Sequence, residues 1–148
     1  NDVELDFDFD KVKEKTKDNP VFYVQYAFAR INSLLRILNI SLNSEIKLNE
    51  ENFELNTNEE KIIRKIFEWP KIIESVSKKY EIHKIPFYLY ELSTLFHSYW
   101  SKGNEDKKYK FIENDKIKRI EILVIINLIS IVIQNGMKIL GVSLPKKM

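Results

Sequence analysis

The sequence contains no cysteine, which excludes disulfides, thiolate nucleophiles, zinc ribbons and cysteine-bound clusters. It has two histidines, His83 and His97, far apart in the chain, and each reads as a satisfied or solvent-facing side chain rather than a metal ligand. With three glycines there is no Gly-rich phosphate loop, and the turn pattern of βαβ units or sandwiches is missing too. No HExxH helix and no Ser/His/Asp arrangement with supporting context occurs. Neither sign of charge dominates: 24 basic against 22 acidic residues give +2, so any nucleic-acid or membrane contact must come from a local patch. Long apolar runs are lacking as well. The most apolar stretch, 120–133, is shorter than the ~20 residues of a spanning helix and is interrupted by Glu121, Asn127 and Ser130. The N-terminus NDVELDFDFD is acidic and unlike a signal peptide, so a cytoplasmic protein is expected. The missing initiator methionine suggests a piece of something longer.

What is present suits one globular domain: 148 residues, 44% hydrophobic and 31% charged. Residues 1–17 form a lead-in in which Val3, Leu5, Phe7 and Phe9 alternate with acids. That period-2 pattern fits a short extended arm packed on a neighbour, or a weakly ordered terminus. Asp6, Asp8 and Asp10 lack a glycine turn and read as a solvated edge rather than a cation site. The domain proper is expected over 18–148. Its first helix starts at Asp18 or Asn19 with Pro20 in the first helical position, and Val24, Ala27, Phe28, Ile31, Leu34, Leu35 and Leu38 make a continuous core stripe. Residues 39–56 read as a surface loop.

Thr57 and Glu60 fit a capping box for a second helix with Ile62, Ile63, Ile66 and Phe67 inward. Pro70 ends it and opens a third, carrying Ile72, Ile73, Val76 and Tyr80. A fourth begins near Pro86 and buries Leu89, Leu92, Leu95, Phe96 and Tyr99. Residues 101–114 read as a polar connection, and the last helix as running from about Asp115 to Leu140, with Gly141 closing it and Pro145 beyond. The expected fold is all-α, a bundle of about five helices.

The informative face belongs to the first helix. Tyr23, Tyr26 and Arg30 fall at i, i+3 and i+7, round from the core stripe. Tyrosine rings offer stacking platforms for unpaired bases, and an arginine adds phosphate contact or stacking of its own. From spacing alone the plainer reading is two half-buried tyrosines with wet hydroxyls, and for Arg30 a structural ion pair. No catalytic constellation accompanies them, so the chain reads as a binding module, for RNA or for a protein partner anchored on the same tyrosines.

The string Asn19-Pro20-Val21-Phe22-Tyr23-Val24-Gln25-Tyr26-Ala27, followed by Ala29-Arg30, resembles the NP(V)xYVQYAHAR opening of the C-terminal, DALR-type anticodon-binding domain of arginyl-tRNA synthetases. Leu5-Asp6-Phe7-Asp8 resembles that family's junction with its catalytic domain. Downstream, Glu59-Glu60-Lys61-Ile62-Ile63 with Trp69-Pro70 follow its pattern. So do Pro86, Tyr88-Leu89, Leu92, Phe96-His97 and Tyr99, and finally Gln134-Asn135-Gly136 through Leu140-Gly141-Val142, Pro145 and Met148. The likeness spans the chain in order, and it makes Met148 the expected end of the longer protein. Three departures stand out. Phe28 replaces a histidine, Lys146-Lys147 replace a Glu-Arg pair, and Lys118-Arg119-Ile120 stand where the Asp-Ala-Leu-Arg string belongs.

The resemblance implies a helical domain of class Ia synthetase type that grips the anticodon stem-loop of an arginine tRNA. It implies a monomeric parent enzyme that joins arginine to tRNA with ATP and Mg²⁺ in a separate domain bearing HIGH- and KMSK-like strings, neither of which occurs here. This chain alone should be inactive and need no cofactor. Arginine anticodons share only their central cytosine, so such a site needs one base read by hydrogen bonds and tolerant aromatic surfaces for its neighbours. By resemblance, Tyr23, Tyr26, Arg30 and Met148 are the expected anticodon contacts, with a frayed tail as the alternative for Met148. Lys107, Lys108 and Lys110 are candidate RNA-backbone contacts or a solvated charge run, and Gln25 braces the start of the helix.

Overall fold

A computed structural model of the chain describes residues 19–41 and 54–148. The lead-in with its acids and alternating apolar residues, and most of the 39–56 loop, lie outside the described residues. Five α-helices are present among those described: α1 Pro20–Ile37, α2 Thr57–Phe67, α3 Trp69–Lys79, α4 Lys84–Glu105 and α5 Ile120–Ile139. Between α4 and α5 lie a 3₁₀ turn, Lys107–Tyr109, and two short antiparallel strands, β1 Ile112–Glu113 and β2 Lys116–Ile117. The all-α bundle expected from the sequence is thus present, with a small hairpin added.

Local chemistry sets the helix ends. Asn19 caps α1 by accepting from the amides of Val21 and Phe22 at 3.1 and 3.2 Å, and Pro20 follows in the first turn. Asn39, at φ 53°, closes the other end of α1 in a Schellman turn, with the Ile40 amide reaching the Leu35 carbonyl at 2.9 Å. Gly141, at φ 69°, does the same for α5, and the Val142 amide reaches the Met137 carbonyl.

α4 is the central post, packing on α1, α2, α3, α5 and the 3₁₀ turn. Its Leu89, Leu92, Phe96 and Tyr99 are buried against the α1 stripe and against Ile125, Ile126, Ile129 and Ile133 of α5. α5 is long and apolar enough to cross a membrane by length and composition, but in this bundle it is a core helix. Phe28 is buried, which accounts for an apolar ring where the family carries histidine.

Several boundaries differ from expectation. The capping box sits one residue earlier, on Asn56 and Glu59, because Glu59 is fully buried while Glu60 is exposed. Phe67 and Tyr80 point outward, 78% and 87% exposed. Phe67 is the last residue of α2, and Tyr80 leaves α3 in the left-handed region at φ 58°. The supposed connection at 101–114 is largely structured: α4 runs on to Glu105, and Asn114 and Asp115, at φ 50° and 58°, turn the hairpin. That hairpin delays the start of α5 to Ile120.

Glu59 is tied to three elements. It accepts from the Asn56 amide at 2.8 Å, the Tyr99 hydroxyl on α4 at 2.7 Å and the Arg119 guanidinium before α5 at 3.1 Å. Arg119 also donates to the Glu54 carbonyl and approaches Glu121 at 3.5 Å. Burial and the Glu59 carboxylate push the Tyr99 phenol well above its ordinary pKa, so its proton stays available to donate. Replacing Arg119 with Met strands this buried carboxylate, and the expected cost is about 3 kcal/mol, read as a lowered urea midpoint. Gly103 faces a different constraint: a Cβ there would lie 3.0 Å from the Tyr109 carbonyl oxygen and 3.2 Å from the Lys110 Cα. The neighbour is backbone and cannot rotate away, so Gly103→Ala should lower stability by about 1–3 kcal/mol in the same measurement.

Candidate nucleic-acid interface

The third face of α1 turns toward α4, and its residues meet around His97. Tyr23 packs its ring 5.2 Å from Tyr90 and 4.5 Å from His97. It is half-buried, and that burial raises its phenol pKa, with Thr94 acting in the opposite sense. Tyr26, one turn on, is 37% exposed and lies nearly parallel to the His97 ring at 5.4 Å and to Phe22 at 6.3 Å. Arg30 then reaches across. Its guanidinium carbon lies 4.5 Å from the Tyr26 ring centre and 4.9 Å from that of Trp100 on α4. It donates to the Tyr26 hydroxyl at 2.6 Å and lies 3.3 Å from His97 Nδ1. Among the described residues no carboxylate pairs with it, so the structural ion pair weighed for Arg30 is replaced by aromatic rings and an imidazole.

Tyr26, Arg30 and Trp100 border a groove of about 490 Å³, within the range of small-ligand pockets. Tyr26, Arg30, Leu34 and Ile37 of α1 form one wall, and Trp100, Gly103 and Asn104 of α4 the other. Lys110, Phe111 and Ile112 close one end, and Met148 also lines the groove. Among the described residues no lining side chain is acidic, and two, Arg30 and Lys110, are cations. The groove therefore offers apolar and aromatic walls with two cationic side chains, a combination suited to a flat heterocycle bearing a phosphate.

Met148 belongs to the groove because the tail is pinned. After the Gly141 turn, the Ser143 carbonyl accepts from Gln25 Nε2 at 2.9 Å, and Leu144 packs on the core. Gln25 thus braces the far end of the chain against α1. Of the three lysines, Lys110 lines the groove, while Lys107 and Lys108 lie exposed on the neighbouring 3₁₀ turn. Tyr23 sits behind the groove instead of lining it. Sequence reasoning missed two residues: Trp100, on the groove wall opposite Tyr26, and His97, which does not line the groove but is 6% exposed behind it and hydrogen-bonded at both ring nitrogens. The Phe96-His97 string inside the α4 pattern was the available signal.

Burial, with the Arg30 charge beside it, lowers the His97 pKa from 6.5 to about 4, against the opposing Tyr23 carbonyl. Between those values the unfolded chain takes up a proton that the folded one refuses. The stabilising contribution is therefore whole above pH 6.5 and is lost as the pH falls toward 4. His97→Asn removes this titration, so denaturation curves at about pH 7 and about pH 4.5 should show a smaller acid loss in the variant than in the wild type.

The DALR anticodon binding domain family model matches residues 24–148. The arginine–tRNA ligase of Pelagibacter ubique is 51% identical over 148 residues, spanning all of this chain and 26% of that protein. Those of Roseobacter denitrificans and Brucella ovis are 40% and 41% identical, again over the whole chain and 26% of their own length. The chain thus spans about a quarter of the curated relatives it matches. A crystal structure from Campylobacter jejuni, described as an arginyl-tRNA synthetase, superposes with a TM-score of 0.74 over 99% of this chain and 30% of its own. At 20% identity that likeness speaks for the fold alone.

Proposed function

The chain belongs to the DALR anticodon-binding domain family, and on that footing we propose that it grips the anticodon stem-loop of an arginine tRNA on behalf of an arginine–tRNA ligase. The observation that carries this reading is the groove itself: the Tyr26 ring, the Arg30 guanidinium, Trp100 and Met148 all line one cleft that, among the described residues, has no acidic side chain. A base splayed from the loop stacks on Tyr26 with the Met148 thioether near its edge. Arg30 supplies donors toward the base or its phosphate. Tyr23 backs the platform, while Lys110, with Lys107 and Lys108 beside it, contacts the backbone of the RNA.

The remaining three quarters of the longer protein would hold the chemistry, joining arginine to the tRNA with ATP and Mg²⁺, in the cytoplasm and as a monomer. This chain contributes position, not bond-making. An arginine-tRNA set presents one constant base, the central cytosine, so specificity rests on a single reader while aromatic surfaces tolerate the neighbours.

The test is an anisotropy titration at low salt with the anticodon hairpin of an arginine tRNA and the same hairpin carrying another base in place of the central cytosine. A loss of about 1–3 kcal/mol on replacement is expected, and equal binding to both would contradict anticodon readout. Tyr26→Ala should weaken the cognate hairpin by about 1–3 kcal/mol in that assay, because it removes the stacking platform and one of the two rings that hold Arg30.

A further inference from the structure

His97 touches every member of the aromatic-cationic face of α1. Its ring lies against those of Tyr23 and Tyr26, its Nε2 is 3.3 Å from the Tyr23 carbonyl oxygen, and its Nδ1 is 3.3 Å from Arg30 Nη1. These partners dictate its tautomer. A guanidinium can only donate, so Nδ1 must accept, and a carbonyl can only accept, so Nε2 must carry the proton. One neutral form of imidazole meets both demands.

A carboxylate would hold the guanidinium more strongly, but it would also neutralise it. Neutral imidazole fixes the direction of the cation and leaves its charge intact. Arg30 has five N–H donors, and two contacts, to His97 and to the Tyr26 hydroxyl, set its plane beside the groove. A residue that only filled space here could be apolar, as Phe28 is elsewhere on the buried face of α1. Burying a polar ring is favourable only when its hydrogen bonds are made, and both of these are made within the site.

We propose that His97 is the positioning residue of the interface, aiming the Arg30 guanidinium so that the groove discriminates among bases. The proposal rests on the anticodon reading above. The test uses two substitutions that divide the imidazole between them. His97→Asn places an amide near the Nδ1 position and keeps an acceptor for Arg30. His97→Gln places one near Nε2, keeping the donor to the Tyr23 carbonyl and losing the Arg30 contact.

Two readouts on the 148-residue chain separate the possibilities. The first needs no RNA: the guanidinium N–H signals of Arg30 by ¹⁵N NMR, resolved when the group is held and averaged when it rotates freely. The second is the affinity ratio between the arginine-tRNA anticodon hairpin and its central-cytosine replacement. The expected result is resolved Arg30 signals in the wild type and His97→Asn and averaged signals in His97→Gln. The hairpin ratio should fall about fivefold or more in His97→Gln and be largely kept in His97→Asn. Equal loss in both variants, or loss in neither, overturns the proposal and leaves His97 a structural residue. If the wild type does not distinguish the hairpins, the anticodon reading has failed, and the guanidinium signals alone decide whether His97 holds Arg30.

Discussion

The functional end of the bundle depends on one carboxylate held out of water. Glu59 is fully buried, and taking a charge into the interior is unfavourable unless its partners are supplied at good geometry. Here they come from three directions: the amide of Asn56 at the start of α2, the hydroxyl of Tyr99 in α4 and the guanidinium of Arg119 at the head of α5. Three helices are thereby fixed at a single point. Tyr99 carries the constraint onward, because its ring packs 4.8 Å from Phe111. Phe111 in turn lies edge-on to Trp100 at 5.3 Å, and both line the groove. One wall of the groove is thus held by the same contact that joins the helices.

The opposite wall is organised by different physics. On α1, no ion pair among the described residues holds Arg30; two aromatic rings and a neutral imidazole hold it instead. That arrangement keeps a full positive charge at the edge of an apolar cleft, where the interaction with an incoming anion is least screened. The chain end completes the cleft through the Gly141 turn and the Gln25–Ser143 contact, so residues at either end of the domain serve one site.

The core was legible because its period is that of the helix. Val24, Ala27, Phe28, Ile31, Leu34 and Leu35 are buried as their spacing requires. The capping box slipped by one residue because Asn56–Glu59 and Thr57–Glu60 fit the same pattern, and only the burial of Glu59 by Tyr99 and Arg119 separates them. Two-residue strands carry no period, which hid the hairpin at 112–117. The face bearing Tyr23, Tyr26 and Arg30 could be read from spacing and family likeness, but the split of roles could not. His97 meets Arg30 and Tyr23 from 67 and 74 residues away, and no local pattern encodes such partners. Met148 reaches the groove at the end of a tail tied down by a contact spanning 118 residues.

The chain carries its own controls for the central claim, that the cleft between α1 and α4 receives the RNA. Of its two tryptophans, Trp100 lines the groove and Trp69 packs on Tyr88, roughly 18 Å away along α4. Of its two methionines, Met148 lines the groove and Met137 is buried in the core. The decisive measurement is an NMR titration with the arginine-tRNA anticodon hairpin, following the two indole N–H and two methionine methyl signals. The signals of Trp100 and Met148 should shift while those of Trp69 and Met137 stay in place. Shifts at Trp69 with Trp100 and Met148 unmoved would put the RNA on another face and contradict the account.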